Sequence, residues 1–246
     1  MVEDSTTTSL TNTTSVAPVV VANVTPPAPS LADGARWTSC RYVLAQIYNQ
    51  HSTAAELVPS EYLMASVVDG VGQSQFILAK CSAVTVGNAT LFDDVDVAFF
   101  GVHVRAPADV HNDSVTNLYV FGMPISNESY RGMFNETGAP VGEGAVSLEE
   151  RMSSATFANA PWATVIAQDA QPPNPDPNFN FRLHWVANSK HCFMETSLLM
   201  NKEAAGPTTV QGEGGSAATL AGPAGVLGGS GTRGSLDAVL GAPTCV

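Results

Sequence analysis

Phe179-Asn180-Phe181-Arg182-Leu183-His184-Trp185 alternates bulky apolar and polar side chains one by one. An extended chain sends successive side chains to opposite faces, so Phe179, Phe181, Leu183 and Trp185 form one apolar stripe. Arg182 and His184 then fall on the opposite face and read as an exterior surface. The reading predicts burial of Phe99, Phe181, Leu183 and Trp185. Residues 94–104 repeat the pattern, with Val95, Val97 and Phe99 alternating with Asp94, Asp96 and Ala98. Gly101 interrupts that run where a bulge or a close backbone approach would fit. Further strands are expected at 75–78, 82–86, 117–123, 163–167 and 192–200. Helices are few: Thr53-Ala-Ala-Glu56 and Ser147-Leu-Glu-Glu150 both match the capping box, in which a hydroxyl and a carboxylate satisfy free N–H groups. Many strands with a few short helices predict a mainly β protein, an antiparallel β-barrel or a sandwich.

Composition sets the limits of that domain. The chain has 246 residues, 44% of them hydrophobic and only 13% charged, with a net charge of −12. Three lysines and seven arginines make no basic stripe, and so acidic a surface repels phosphate backbones. Nucleic acid is therefore excluded as a partner, and no segment is long and apolar enough to span a bilayer. Residues 1–34 are rich in Ser, Thr and Pro, contain no aromatic residue, and read as a disordered arm. Residues 35–205 read as the barrel domain. Residues 206–246, dominated by Gly and Ala, are expected to be at most partly ordered.

Six Asn-x-Ser/Thr sequons, at Asn12, Asn23, Asn88, Asn112, Asn127 and Asn135, point to the secretory route. A glycan requires a surface position, so the last four are expected on exposed turns or helix starts. Residues 1–9 carry no signal-peptide pattern, neither a basic start nor an apolar stretch. Cys40, Cys81, Cys192 and Cys245 are far apart, without the close spacing of a metal site, and are expected to form two disulfides. Spacing leaves the pairing open. The strand layout favours Cys40 with Cys81 and Cys192 with Cys245.

Between Cys40 and residue 123 the order of segments is informative. AAELVPSEY at 54–62 is followed by GQSQFILAK at 72–80, VDVAFFGVHVRAP at 95–107 and NLYVFGM at 117–123. This succession resembles the acetoacetate-decarboxylase-like barrel superfamily. The resemblance implies a cone-shaped antiparallel barrel with a ligand cavity. It also implies a Schiff-base lysine whose pKa is lowered by an adjacent lysine. This sequence has no adjacent lysines, so none of the family's catalytic residues is carried over.

Three residues remain as ligand-binding candidates. Lys80 follows the apolar run 76–79 and either borders the interior as a nucleophile or caps a strand in water. His103 and Arg105, two apart on one strand face, would meet a carboxylate unless that face is solvent. Asp93, Asp94 and Asp96 lack the Gly and Glu of a calcium loop. Glu149 and Glu150 lack a catalytic partner. Lys190-His191-Cys192 has a disulfide as its simpler reading. No nucleophile elbow or phosphate loop is present, and no cofactor is expected. The expected function is a secreted glycoprotein whose barrel binds a small apolar or amphipathic ligand without catalysis. The alternatives are a lyase or hydrolase of the decarboxylase-like class, or a cell-surface or wall protein.

Overall fold

The computed structural model describes residues 30–68, 70–87, 90–167 and 178–246. The expected arm at 1–34 lies outside them up to residue 29, as do Asn12, Asn23 and Asn88. The chain runs β1 (Ala35–Gln50), α1 (His51–Ala55), β2 (Leu63–Met64), β3 (Ser66–Val68), β4 (Val71–Val86), β5 (Thr90–Arg105) and β6 (Thr116–Ile125). It continues with α2 (Glu128–Asn135), β7 (Val141–Glu143), β8 (Val146–Leu148), β9 (Met152–Phe157), β10 (Ala160–Ala167) and β11 (Asn178–Ala187). It ends with β12 (Lys190–Gly212), α3 (Gly215–Ala221), β13 (Val226–Leu240) and β14 (Thr244–Cys245).

The fold is mainly β, as expected. Seven strands, in the order β11-β6-β5-β4-β1-β13-β12, form a ring that closes through β11–β12 pairing. All ring contacts are antiparallel except β6–β11, which is parallel. The long strands β4, β5 and β12 absorb the shorter segments expected from sequence. Alternation then sorts the core. Leu44, Ile77, Phe99, Leu118, Leu183 and Leu236 come from six ring strands yet share one buried cluster inside the ring. The opposite face of β1, β4 and β5 carries Ile47, Phe76 and Phe100, which pack with Trp162 of β10 and Leu220 of α3 into a second cluster. Phe99, Phe181, Leu183 and Trp185 are all buried, as expected. Gly101 marks a register shift against β6, and a Cβ there would lie 2.8 Å from the Tyr119 carbonyl oxygen. The close-approach reading holds.

Three expectations are corrected. The Gly/Ala-rich end is not a loose tail: β13 is a central ring strand, paired with β1 on one side and β12 on the other. Its glycines serve close packing, since a Cβ at Gly229 would overlap the Gln46 carbonyl. A segment with few side chains shows no period to read, although its backbone is fully paired. The barrel therefore does not end at residue 205. Ser147 opens no helix either; Val146–Leu148 pairs with β9 as a strand. The first helix starts at His51 behind Gln50, which makes no side-chain cap, so Thr53 is internal.

Two disulfides join residues that stand opposite each other in register. Cys40–Cys81 ties β1 to β4 with Cα atoms 3.9 Å apart, and Cys192–Cys245 ties β12 to β14 at 4.1 Å. The favoured pairing is the one present. Asn127 caps α2 by accepting from the Tyr130 N–H at 2.9 Å. Asn112 accepts from the Ser114 N–H in a turn, and Asn135 is exposed at the end of α2. Among the described residues no helix is long and apolar enough to cross a membrane.

Candidate functional site

The ring interior is apolar at the end plugged by α2, where the Trp37 indole donates to the Tyr130 hydroxyl at 2.8 Å. Polar groups gather further along β4 and β5. Gln75 shares the face of Ile77 and Ala79, and His103 shares the face of Phe99, so alternation turns both toward the ring. Gln75 stands opposite Gln46 of β1 and Gly101 of β5. Gly101 contributes no side chain, which leaves His103 as the diagonal neighbour of Gln75, with Cβ atoms roughly 7 Å apart.

Gln75 is 0% exposed, and neither its amide nitrogen nor its amide oxygen has a protein partner. His103 Nε2 is likewise buried and unpartnered, as is the Thr196 hydroxyl on the ring face of β12. Buried polar atoms are nearly always hydrogen-bonded, so orphans in one interior single it out for a ligand or ordered water. Burial pushes the His103 imidazole from 6.5 down to about 4, which keeps it neutral near pH 7. Arg105 is the next residue on the same face, roughly 7 Å along the strand, exposed at its end.

Lys80 does not join them. It shares the face of Phe76 and Leu78, outside the ring. Its Nζ lies 2.7 Å from Asp96 and donates to the Val146 carbonyl at 2.9 Å. Asp96 in turn accepts from the Val146 N–H, so the pair clips β8 onto β4 and β5. The nucleophile reading of Lys80 is corrected to this clip. Because the lysine side chain is 49% exposed, Lys80→Met should cost at most about 1 kcal/mol in a denaturant titration. A loss above about 3 kcal/mol would contradict that role. Lys202, partly buried, has ring-facing parity beside the bulge of β12. It stands opposite Gly234, whose β1 partner is Tyr42, two inward-facing rows from Gln46.

Sequence reading missed Gln75, whose only signal was a polar residue at the head of an apolar run. It also placed His184 on an exterior face, whereas His184 is 0% exposed beneath the connections before β2 and before β6. Burial, reinforced by nearby Arg182, His111 and His191, pushes its imidazole from 6.5 down to about 3. For both His103 and His184 the folded pKa lies below the unfolded one, so the unfolded chain holds more protons below about pH 6.5. Their contribution to stability is complete above that value and is lost as pH falls toward 4 and 3. The slope is at most about 1.4 kcal/mol per pH unit per histidine. Urea midpoints should therefore drop between pH 6.5 and 4, less steeply in His103→Gln. A midpoint unchanged across that window would contradict the burial of these neutral rings.

No protein-family model matches the chain, and no curated protein does. Solved structures do. An acetoacetate decarboxylase is 11% identical with a TM-score of 0.61, over 92% of this chain and 94% of its own. The acetoacetate decarboxylase of Legionella pneumophila subsp. pneumophila str. Philadelphia 1 is 13% identical with a TM-score of 0.60, over 96% and 98%. The enduracididine biosynthesis enzyme MppR, complexed with pyruvate, is 9% identical with a TM-score of 0.58, over 92% and 93%. The expectation of a non-catalytic secreted glycoprotein is corrected by these neighbours, which are enzymes. The chain has the acetoacetate-decarboxylase-like fold, in a divergent form.

Proposed function

We propose that this protein is a lyase acting on a small oxo acid held inside the ring by Gln75 and His103, without a Schiff base. The observation that carries the reading is the pair of buried, unpartnered polar side chains on adjoining ring strands, with Gly101 between them. The neighbours supply the substrate class, since one family is named for acetoacetate and MppR is recorded with pyruvate. Arg105, at the end of the same face, is the anchor for the substrate carboxylate.

The chemistry follows from those groups. A 3-oxo carboxylate loses carbon dioxide when its C–C bond breaks and the electron pair moves into the ketone as an enolate. The Gln75 amide N–H and the His103 Nε2–H donate to that oxygen as charge develops, in a buried site where such donors count more than in bulk water. Water then protonates the carbon and leaves hydroxide, so one proton is consumed per turnover. A neutral histidine suits this role, because it stabilises the enolate without giving up its proton fully.

Carbon-13 NMR of acetoacetate labelled at its carboxyl carbon tests the proposal, with pyruvate, whose 2-oxo group yields no enolate on loss of carbon dioxide, as the unreacted control. Release of labelled carbon dioxide above the protein-free rate is expected, with kcat lower by about 100-fold in His103→Gln. Arg105→Ala should raise KM by about tenfold while kcat changes little. Turnover no faster than the protein-free rate, or a borohydride-trapped adduct on Lys202, would overturn it.

A further inference from the structure

The outer face of β6, β11 and β12 holds a second group of chemically capable side chains, on the far side of the sheet from Gln75 and His103. His184 Nε2 lies 2.9 Å from Asn117 Oδ1. The Asn117 amide nitrogen donates to the carbonyls of Asn112 and Val115, at 2.8 and 3.1 Å, which fixes Oδ1 as the atom facing the histidine. The proton of His184 therefore sits on Nε2, and its Nδ1 lone pair is left buried and without a partner. His111 repeats the arrangement: Nε2 lies 2.8 Å from Asp113, and Nδ1 is buried and unpartnered.

Tyr62 completes the cluster. It is 2% exposed, its hydroxyl has no partner, and its ring centroid lies 5.7 Å from that of His184 and 4.9 Å from that of Tyr119. His191, 5.6 Å from the Tyr62 ring, faces the Glu61 carboxylate at 3.5 Å and that of Asp109 at 3.3 Å. Arg182 is already engaged: its Nε donates to Glu195 at 2.8 Å, it donates to the Val110 carbonyl, and it lies 4.1 Å over the Phe193 ring. Arg182 is offset by Glu195, and the other carboxylates at the cluster are those of Glu61, Asp109 and Asp113.

Imidazole lone pairs, a phenol oxygen, aromatic walls and a carboxylate rim all favour a ligand that donates N–H groups and carries positive charge. An anion would meet carboxylates and lone pairs. Among the described residues no three His, Cys, Asp or Glu side chains come together as a metal site. We propose that this cluster is a binding site for a small primary ammonium, received by the Nδ1 atoms of His184 and His111 and by the Tyr62 hydroxyl, with Glu61 and Asp109 at its rim. The site is independent of the oxo-acid reading, because its side chains lie outside the ring whereas Gln75 and His103 face its interior.

The test uses the full chain with nitrogen-15 histidine, titrated with benzylammonium near pH 7 and, separately, with benzyl alcohol and benzoate. Benzylammonium should shift the Nδ1 resonances of His184 and His111 saturably, with a dissociation constant on the order of 1 mM. Benzyl alcohol should bind about tenfold more weakly, and benzoate should not bind. Tyr62→Phe, which keeps the ring, and the exposed Glu61→Gln should each weaken benzylammonium by about threefold to tenfold. Unmoved His184 and His111 resonances, or equal binding of the neutral probe, would overturn the proposal. So would unchanged affinity in Glu61→Gln, a variant chosen because an exposed side chain is not needed for folding.

Discussion

Replacing Cys40 and Cys81 together by alanine is expected to lower the unfolding free energy by about 4 kcal/mol. The bond closes a separation of 41 residues and joins β1 to β4, neighbours in the middle of the ring. Without it the unfolded chain regains the freedom of that loop, whereas the folded strands stay paired on both sides of the site. The loss should therefore appear in the urea midpoint while the circular dichroism of the folded state stays the same. The Cys192–Cys245 bond spans 53 residues but holds only the two-residue strand β14, so its removal should chiefly free the C-terminal end. A Cys40→Ala/Cys81→Ala protein as stable as the parent would show that the bond does not form in solution. Both disulfides are compatible with an oxidising compartment.

Trp185→Ala should cost about 3–5 kcal/mol, the range for deleting a buried aromatic from a packed core. The side chain is 1% exposed inside the ring, and its indole N–H donates to the Thr137 carbonyl at 3.1 Å. The substitution opens a cavity and also releases the turn that follows α2. Trp185→Phe keeps most of the apolar volume but loses the hydrogen bond, so about 1–2 kcal/mol is expected. Equilibrium denaturation of both variants separates the two contributions. A cost below about 1 kcal/mol for the alanine variant would mean that the stripe of β11 does not face a filled core.

The stripe itself was legible because alternation is the strongest signal a half-buried strand gives, and residues 179–185 carry it without interruption. The same stripe misled about its other face. Period two separates two faces but does not reveal what covers each, and the connections before β2 and before β6 roof His184. Strand β13 was illegible for a different reason: close approach to β1 removed the side chains that would have shown a period. Of the candidate site, His103 and Arg105 were visible as a pair on one strand. Gln75 was not, because its significance depends on lying across from Gly101, a fact of register between strands far apart in any local reading. Lys80 was drawn in by the apolar run before it, and strand parity sends it to the opposite face.

The central claim, that His103 meets an oxo acid inside the ring, is tested most directly by titrating pyruvate into nitrogen-15 histidine-labelled protein and following the His103 ring. The imidazole is held near pKa 4 by burial alone, so an anionic ligand beside it should raise that value. The account predicts a saturable shift at His103 with an upward move of its titration midpoint, both absent in Gln75→Leu. A His103 ring that ignores pyruvate at saturating concentration, while the fold stays intact, would contradict it.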